Sequence, residues 1–335
     1  MKDKIKLLSI KSLDVSKFRE LGLVILIIVL GAVLQMRNPD FLSARNLDNL
    51  FTNAAILGIL SVGMMMVILT GGIDLSVGSV VAFSGMVVGL TVKDFPGIPP
   101  AILVLQGGVI GAAIGLVTGT LVARFSILPI IASLGMMNIV RGLTYVVSDG
   151  SWVSAYQMPA AFKDMATNTF LGINNLVVIA FVTFIIFAFF IKFTRTGRRI
   201  YAVGSSREAA DVIGLPSKNI ITLVYVLLGM LAGIGGVLWV SRFASAQGDT
   251  AQGYEIFVIA SCVLGGCATS GGRGTVLGLV LGVLLFGILA NSLPLVAISP
   301  FWQQAIQGFV ILTAITANVL VKRNNDRANL RRRVI

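Results

Sequence analysis

Asp74 is the only acid between Asp48 and Asp94, and it stands between two apolar runs, Ala54–Leu69 and Val77–Val92. A carboxylate in that much hydrocarbon costs about 2.5–3.5 kcal/mol at a helix centre. Gly71, Gly72, Ser76 and Gly78 surround it; they loosen a helix and offer local hydrogen bonds. Three kinds of chemistry are open to such an acid. It can accept bonds from backbone groups freed where a helix breaks, pair with Arg124, Arg141 or Arg273, or meet the hydroxyl groups of a solute. Ser76, Gly78, Ser79, Asn138 and Glu255 are the other groups, at span ends or within spans, that could line a passage or gate with Asp74.

Catalytic chemistry finds little support. The chain has two cysteines, Cys262 and Cys267, in one apolar stretch, and no histidine. That leaves neither a zinc site nor a Cys/His nucleophile pair, so no metal and no cofactor is expected in this chain. No Gly-x-x-x-x-Gly-Lys-Ser/Thr phosphate loop occurs, and Gly271-Gly-Arg-Gly274 lacks both the lysine and a preceding strand. Met64, Met65 and Met66 read as pliable packing.

The elements that hold these residues are membrane spans. Of 335 residues, 56% are apolar and 12% charged, with a mean hydropathy of +0.94. A soluble domain carries about 25% charged residues. Continuous apolar runs exclude a β-barrel, whose strands alternate. The reading is an all-α polytopic membrane protein of about ten helices, eight at the fewest, some broken or re-entrant. The spans are Leu21–Leu34, Ala54–Leu69, Val77–Val92, Ala101–Val122, Leu128–Val147, Leu176–Ile191, Ile221–Val240, Ile256–Cys267, Thr275–Leu293 and Phe301–Val321. Leu21–Leu34 has no small-residue cleavage site after it and is expected to remain as the first span. Val77–Val92 and Ile256–Cys267 are short for a crossing, which needs about 20 residues. Arg37–Asn53 reads as a polar link, and Ser241–Glu255 as an external loop. Ser148–Asn175, with Trp152, Tyr156 and Phe162, reads as an external interfacial segment.

The formal charge of +12 is placed for orientation rather than for nucleic acid. Eighteen of the 26 basic residues fall in three clusters beside spans: residues 1–20, the loop Lys192–Asn219, and the tail 322–335. Basic loops stay cytoplasmic. Both termini and the 192–219 loop are therefore expected inside, flanking a single membrane domain over 21–321. Glycine totals 37 and is spread through the spans. Gly111-Ala-Ala-Ile-Gly115 and Gly278-Leu-Val-Leu-Gly282 have the small-xxx-small spacing of close helix packing. A faint internal echo links Asp74-Leu-Ser-Val-Gly-Ser79 with Gly271-Gly-Arg-Gly-Thr275, each following one apolar run and opening another.

Within the basic loop, Glu208-Ala-Ala and Gly214 have the spacing of a short helix closed by a glycine. Arg195, Gly197 and Arg198 precede it. Such a helix, on the cytoplasmic side, could dock in a groove on another protein; an ordinary interfacial loop is the alternative.

Four stretches carry a family resemblance. They are Gly63-Met-Met-Met-Val-Ile-Leu-Thr-Gly-Gly-Ile-Asp-Leu-Ser-Val-Gly-Ser79; Leu128-Pro-Ile-Ile-Ala-Ser-Leu-Gly-Met-Met-Asn-Ile-Val-Arg-Gly142; Thr194-Arg-Thr-Gly-Arg-Arg-Ile-Tyr-Ala-Val-Gly204 with Glu208-Ala-Ala-Asp-Val-Ile-Gly214; and Ser245-Ala-Gln-Gly248 through Tyr254-Glu255 to Val263-Leu-Gly-Gly266 and Gly271-Gly-Arg-Gly274. From Asn46 to Val321 the chain resembles the membrane permeases of bacterial ABC sugar importers of the ribose/xylose/galactose/arabinose type. The resemblance implies a permease in the bacterial inner membrane, paired with a second copy or a paralogue. It also implies a cytoplasmic ATPase that uses ATP and Mg, and an external binding protein that delivers the solute. The 208–214 helix, with Arg195, Gly197, Arg198, Ala209 and Ala210, would be the coupling element for that ATPase. Two departures widen the cargo class. Phe257 stands where family members commonly have Asp, and Cys267-Ala268 where they usually have Thr-Ser. A deoxysugar, a furanose or a sugar-like signal molecule then joins the ordinary sugars as a candidate.

Three other classes fit the residues less well. A branched-chain amino-acid permease shares glycine-rich spans and a Leu-Ser-x-Gly break. A stand-alone secondary transporter would want more intramembrane acids than Asp74. An integral membrane enzyme would want a clustered catalytic set.

Overall fold

The computed structural model describes residues 15–296, 298, 299, 301–310, 312, 313 and 316. The basic tail 322–335, the end of the expected Phe301–Val321 span and residues 1–14 lie outside the described residues. Eight described helices are long and apolar enough to cross a membrane. They begin with α1 (Val15–Arg37), α2 (Ala44–Leu69), α3 (Val77–Asp94), α4 (Pro100–Ala123) and α5 (Pro129–Ser148). After a short helix α6 (Ala160–Thr167) and a small hairpin, β1 (Thr169–Phe170) with β2 (Ile173–Asn174), comes α7 (Asn175–Phe193). Two short helices follow, α8 (Arg195–Ser205) and α9 (Arg207–Val212). Then come α10 (Ser217–Phe243), the 11-residue α11 (Tyr254–Leu264) and α12 (Val276–Leu295).

Start signals explain several boundaries. Proline opens α4 and α5, where its missing N–H costs nothing. The polar stretch expected as a link over Arg37–Asn53 is largely helix instead. Asn38 accepts from the Asp40 amide at 2.9 Å and Ser43 from the Asn46 amide at 3.3 Å. Asn38 caps a single turn over Pro39–Leu42, and Ser43 starts α2 at Ala44, so the polar first turns of α2 extend the apolar run rather than precede it.

At the centre is α2. Its apolar window is 94% buried within the protein, and Met64, Met65 and Met66 are fully enclosed, as packing residues. Around it stand α10, α12, α7 and α11. The most extensive helix pair is α4 with α10. Glycines make it possible: methyl groups at Gly107, Gly111 and Gly115 would run into the backbone of Gly233, Gly229 and Tyr225. Gly278 and Gly282 of α12 meet Gly265 and Ser261 at the end of α11 in the same way. Without a hydrophobic drive between helices in lipid, such backbone contact is what holds a bundle.

Hydrogen bonds sort the connections into two ends. At one end Asn38 bonds Leu295 O at 3.0 Å and Asn291 bonds Asn46 at 2.9 Å, while Val153 pairs with Ala246. At the other, Glu20 accepts from Thr275 at 2.6 Å, Arg207 reaches Ala123 O at 3.3 Å, and Tyr201 reaches Gly274 O at 2.8 Å. The second end also holds α8, α9 and the break after Leu69.

The segment expected as an external loop, Ser241–Glu255, departs from that expectation. α10 runs to Phe243, and the chain then turns back into the bundle. Ala244 and Ala251 adopt φ of +49° and +55° to make the reversals. Gly85 packs on Gly236 and Val240, and Gly78, two turns or about 10 Å nearer the end that holds α8 and α9, faces Ala251 and Glu255. The α11 helix therefore starts near mid-depth, and its 11 residues reach about 16 Å, half a crossing. Of the three aromatics in the segment 148–175, Trp152 and Tyr156 are exposed, whereas Phe162 is buried in the bundle.

Candidate passage and coupling elements

The break between α2 and α3 is held by Asp74 itself. Its Oδ1 accepts from the Ser76 amide at 2.7 Å and from the Ser76 hydroxyl at 2.6 Å. This local turn, an acid closing on the amide two residues on, satisfies a donor that a helix start leaves open. Among the described residues no arginine pairs with Asp74; Arg141 is committed elsewhere. The neighbouring carbonyl of Ile73 lies 3.4 Å from both the Ser133 and the Tyr225 hydroxyls, so α5 and α10 also hold the break. Beside it a cleft of about 270 Å³ opens, lined by Thr70, Gly71, Gly72, Ser126, Arg207 and Tyr225 among others.

A second polar group gathers at mid-depth. A methyl group at Gly78 would lie 2.5 Å from Glu255 Oε2 and 2.6 Å from Ala251 O, so the first turns of α3 and α11 abut. Their positive dipole ends converge, and Glu255, in the first turn of α11, suits that field. Arg141 of α5 lies near Glu255 and binds the re-entrant loop, with Nη1 2.8 Å from Gly248 O and 2.7 Å from Thr250 O. Ser79 is fully buried and its hydroxyl has no hydrogen-bond partner.

Of the six residues expected to line a passage, Asp74, Ser76, Gly78 and Ser79 are buried within the chain, and Glu255 is half-buried. Asn138 is exposed, bonded only back to Leu134 O at 2.9 Å. Gly135 and Gly142, on the same face of α5, have nothing within 4 Å of an added methyl group.

The basic loop forms the two short helices. Thr194 caps α8 through the Gly197 amide at 3.0 Å, and a methyl group at Gly197 would collide with the Ile191 backbone. Ile200 and Val203 bury one face of α8 against the bundle, leaving Arg198 and Arg199 exposed. Arg195 is exposed one turn before them. Ser206 caps α9 through the Ala209 amide at 3.2 Å, Ala210 is buried, and Glu208 is exposed. Gly214, at φ +76°, closes the helix as its spacing suggested. Val212 and Ile213 project from its tip at 86% and 73% exposure.

Tyr201 was not among the expected site residues. Burial, and to a lesser extent Cys267, push its phenol up to about 12, so it remains a donor to Gly274 at neutral pH. The 271–275 stretch meets the end of α2, just before the 74–79 stretch it echoes: Gly272 donates to Leu69 O at 2.9 Å. Only the fold could reveal that contact, since nothing local in either stretch marks the other.

The family model described as the permease component of branched-chain amino acid transport systems matches residues 46–315. The chain is 38% identical to a ribose import permease of Bacillus subtilis over 88% of its length and 90% of the relative's. It is 37% identical to an L-arabinose ABC transporter permease of Azospirillum brasilense over 92% of this chain and 89% of that one. A galactose/methyl galactoside import permease of Escherichia coli is 34% identical over 90% and 94%. No solved structure matches the chain significantly. Matched over residues 46–315 by the family model and along about nine-tenths of its length by relatives, and built of long apolar helices around a central buried one, the chain belongs to the family of ABC-importer permeases that includes the sugar import permeases.

Proposed function

We propose that this chain is the membrane permease of an ATP-driven importer for a small sugar or sugar-like solute. It is a transport subunit rather than an enzyme, multi-pass in the bacterial inner membrane. The observation that carries the reading is similarity along about nine-tenths of the chain to permeases named for ribose, arabinose and galactose. The family model's own description favours an amino-acid cargo as the second reading.

The finer organisation is our proposal. The end holding α8, α9 and the Asp74 break is cytoplasmic, supported by Arg195, Arg198, Arg199, Arg207 and Lys218 there. Ten passages, counting loop 244–253 plus α11 as one and the helix from residue 301 as the last, leave both termini on that side. The segment 192–219 is the coupling element within a membrane domain over 21–321, flanked by basic segments 1–20 and 322–335. A cytoplasmic ATPase docks on α9, and an external binding protein delivers solute at the opposite end.

A second permease copy or a paralogue covers the face of α5 bearing Gly135, Asn138 and Gly142. An exposed carboxamide beside open glycines is poorly suited to lipid and well suited to a helix neighbour or a wet passage. Solute moving along that face would meet Asn138 and, deeper, Arg141 and Glu255. Asp74 acts as a structural or gating residue rather than a solute ligand, since it is 3% exposed. The test is whether a loaded binding protein stimulates ATP hydrolysis by the assembled complex. Equal hydrolysis with and without it would contradict the proposal.

A further inference from the structure

The last turn of α8 touches two segments that belong to different breaks in the bundle. A methyl group at Gly204 would overlap the Leu69 carbonyl and sit 2.8 Å from the Gly272 nitrogen. That nitrogen donates to the same Leu69 carbonyl at 2.9 Å. On the opposite side, a methyl group at Gly271 would be 2.6 Å from Gly204 O and 3.0 Å from Gly71 N. One at Gly272 would be 2.6 Å from Ser205 Oγ and 2.9 Å from Ser205 Cα. The Tyr201 hydroxyl adds a tie to Gly274 O at 2.8 Å.

Backbone therefore meets backbone on three strands of chain, with only the small Ser205 hydroxyl at its edge. A side chain absorbs a push by changing rotamer; close-packed backbone has no such slack and transmits it. Only Ser206 separates α8 from α9, whose tip is the most exposed apolar point at this end among the described residues.

We propose that the Tyr201–Ser205 turn is a transmission joint. A push on α9 moves the Leu69–Gly72 end of α2 and the loop 268–274 as one body, so that both breaks shift together. The inference rests on reading α9 as the ATPase-docking helix, and makes Tyr201 and Gly204 positioning residues for transport.

The experiment is hydrogen exchange on the full complex, permease with its ATPase in lipid nanodiscs, with and without ATP-Mg. In the wild type, amides of 69–76 and of 268–275 change exchange together, by about fivefold or more. In Tyr201→Phe and in Gly204→Ala the change in at least one segment falls below about twofold while the ATPase stays bound. A wild type that responds in one segment or neither overturns the joint, as do variants that respond in both. If Gly204→Ala fails to assemble, Tyr201→Phe, which keeps the ring, decides alone. A wild-type chain that captures no ATPase is a separate result, read by pull-down, and it overturns the docking premise itself.

Discussion

One nitrogen of Arg141 holds two carbonyls of the re-entrant loop: Nη1 donates to Gly248 O at 2.8 Å and to Thr250 O at 2.7 Å. The loop 244–253 has little regular structure of its own, and the ring of Tyr145 packs on Gly248 to complete its seat. A charged donor bonded to two carbonyls is worth more than two neutral bonds, about 1.5–3 kcal/mol each. Arg141→Ala is expected to loosen the loop by about 3 kcal/mol, read as faster exchange of amides 246–254 with the remaining helices unchanged. Unaltered exchange there would show that the loop holds itself.

Asp74 gives a second prediction. Asp74→Asn keeps an oxygen for the Ser76 amide and hydroxyl, so folding and transport should stay within about twofold of the wild type, whereas Asp74→Ala should cost about 1–3 kcal/mol. Thermal unfolding and uptake, measured side by side, separate the two. Transport lost in a well-folded Asp74→Asn protein would mean that the charge itself acts.

The α4–α10 seam predicts a stability effect without chemistry. Gly111 sits against the Gly229 carbonyl with no room for a methyl group. Gly111→Val should lower stability by about 1–3 kcal/mol through overpacking, whereas Gly135→Ala, on the open face of α5, should fold normally. A purified Gly111→Val protein melting with the wild type would contradict the seam.

At the proposed coupling element, Glu208 is exposed on α9 beside the apolar tip of Val212 and Ile213. Glu208→Arg should weaken ATPase association by about tenfold, as reversed charges at an interface do. Pull-down of the ATPase at two salt concentrations checks it. Undiminished association together with undiminished transport removes Glu208 from the interface.

Much of this was legible before folding. Most spans follow from apolar runs, and the α9 helix from Glu208 and Gly214. What escaped was set by distant partners. Loop 241–255 looks external because Gln247, Asp249, Thr250 and Gln252 are polar. It turns inward because Arg141, more than 100 residues away, supplies donors for its carbonyls. The first turns of α2 look like a link because Asn46, Asp48, Asn49 and Asn53 are turn formers; the cap at Ser43 decides otherwise. The glycines at 204, 271 and 272 advertise close approach, but not to what.

The central claim is that this chain moves its solute only as part of an ATP-driven assembly. Its most direct test is uptake of labelled D-ribose, L-arabinose and D-galactose into vesicles holding the permease alone, or the permease with its ATPase, ATP-Mg and binding protein. Uptake of at least one of these sugars is expected with the full assembly and none with the permease alone. Uptake by the permease alone, driven by a gradient, would contradict it.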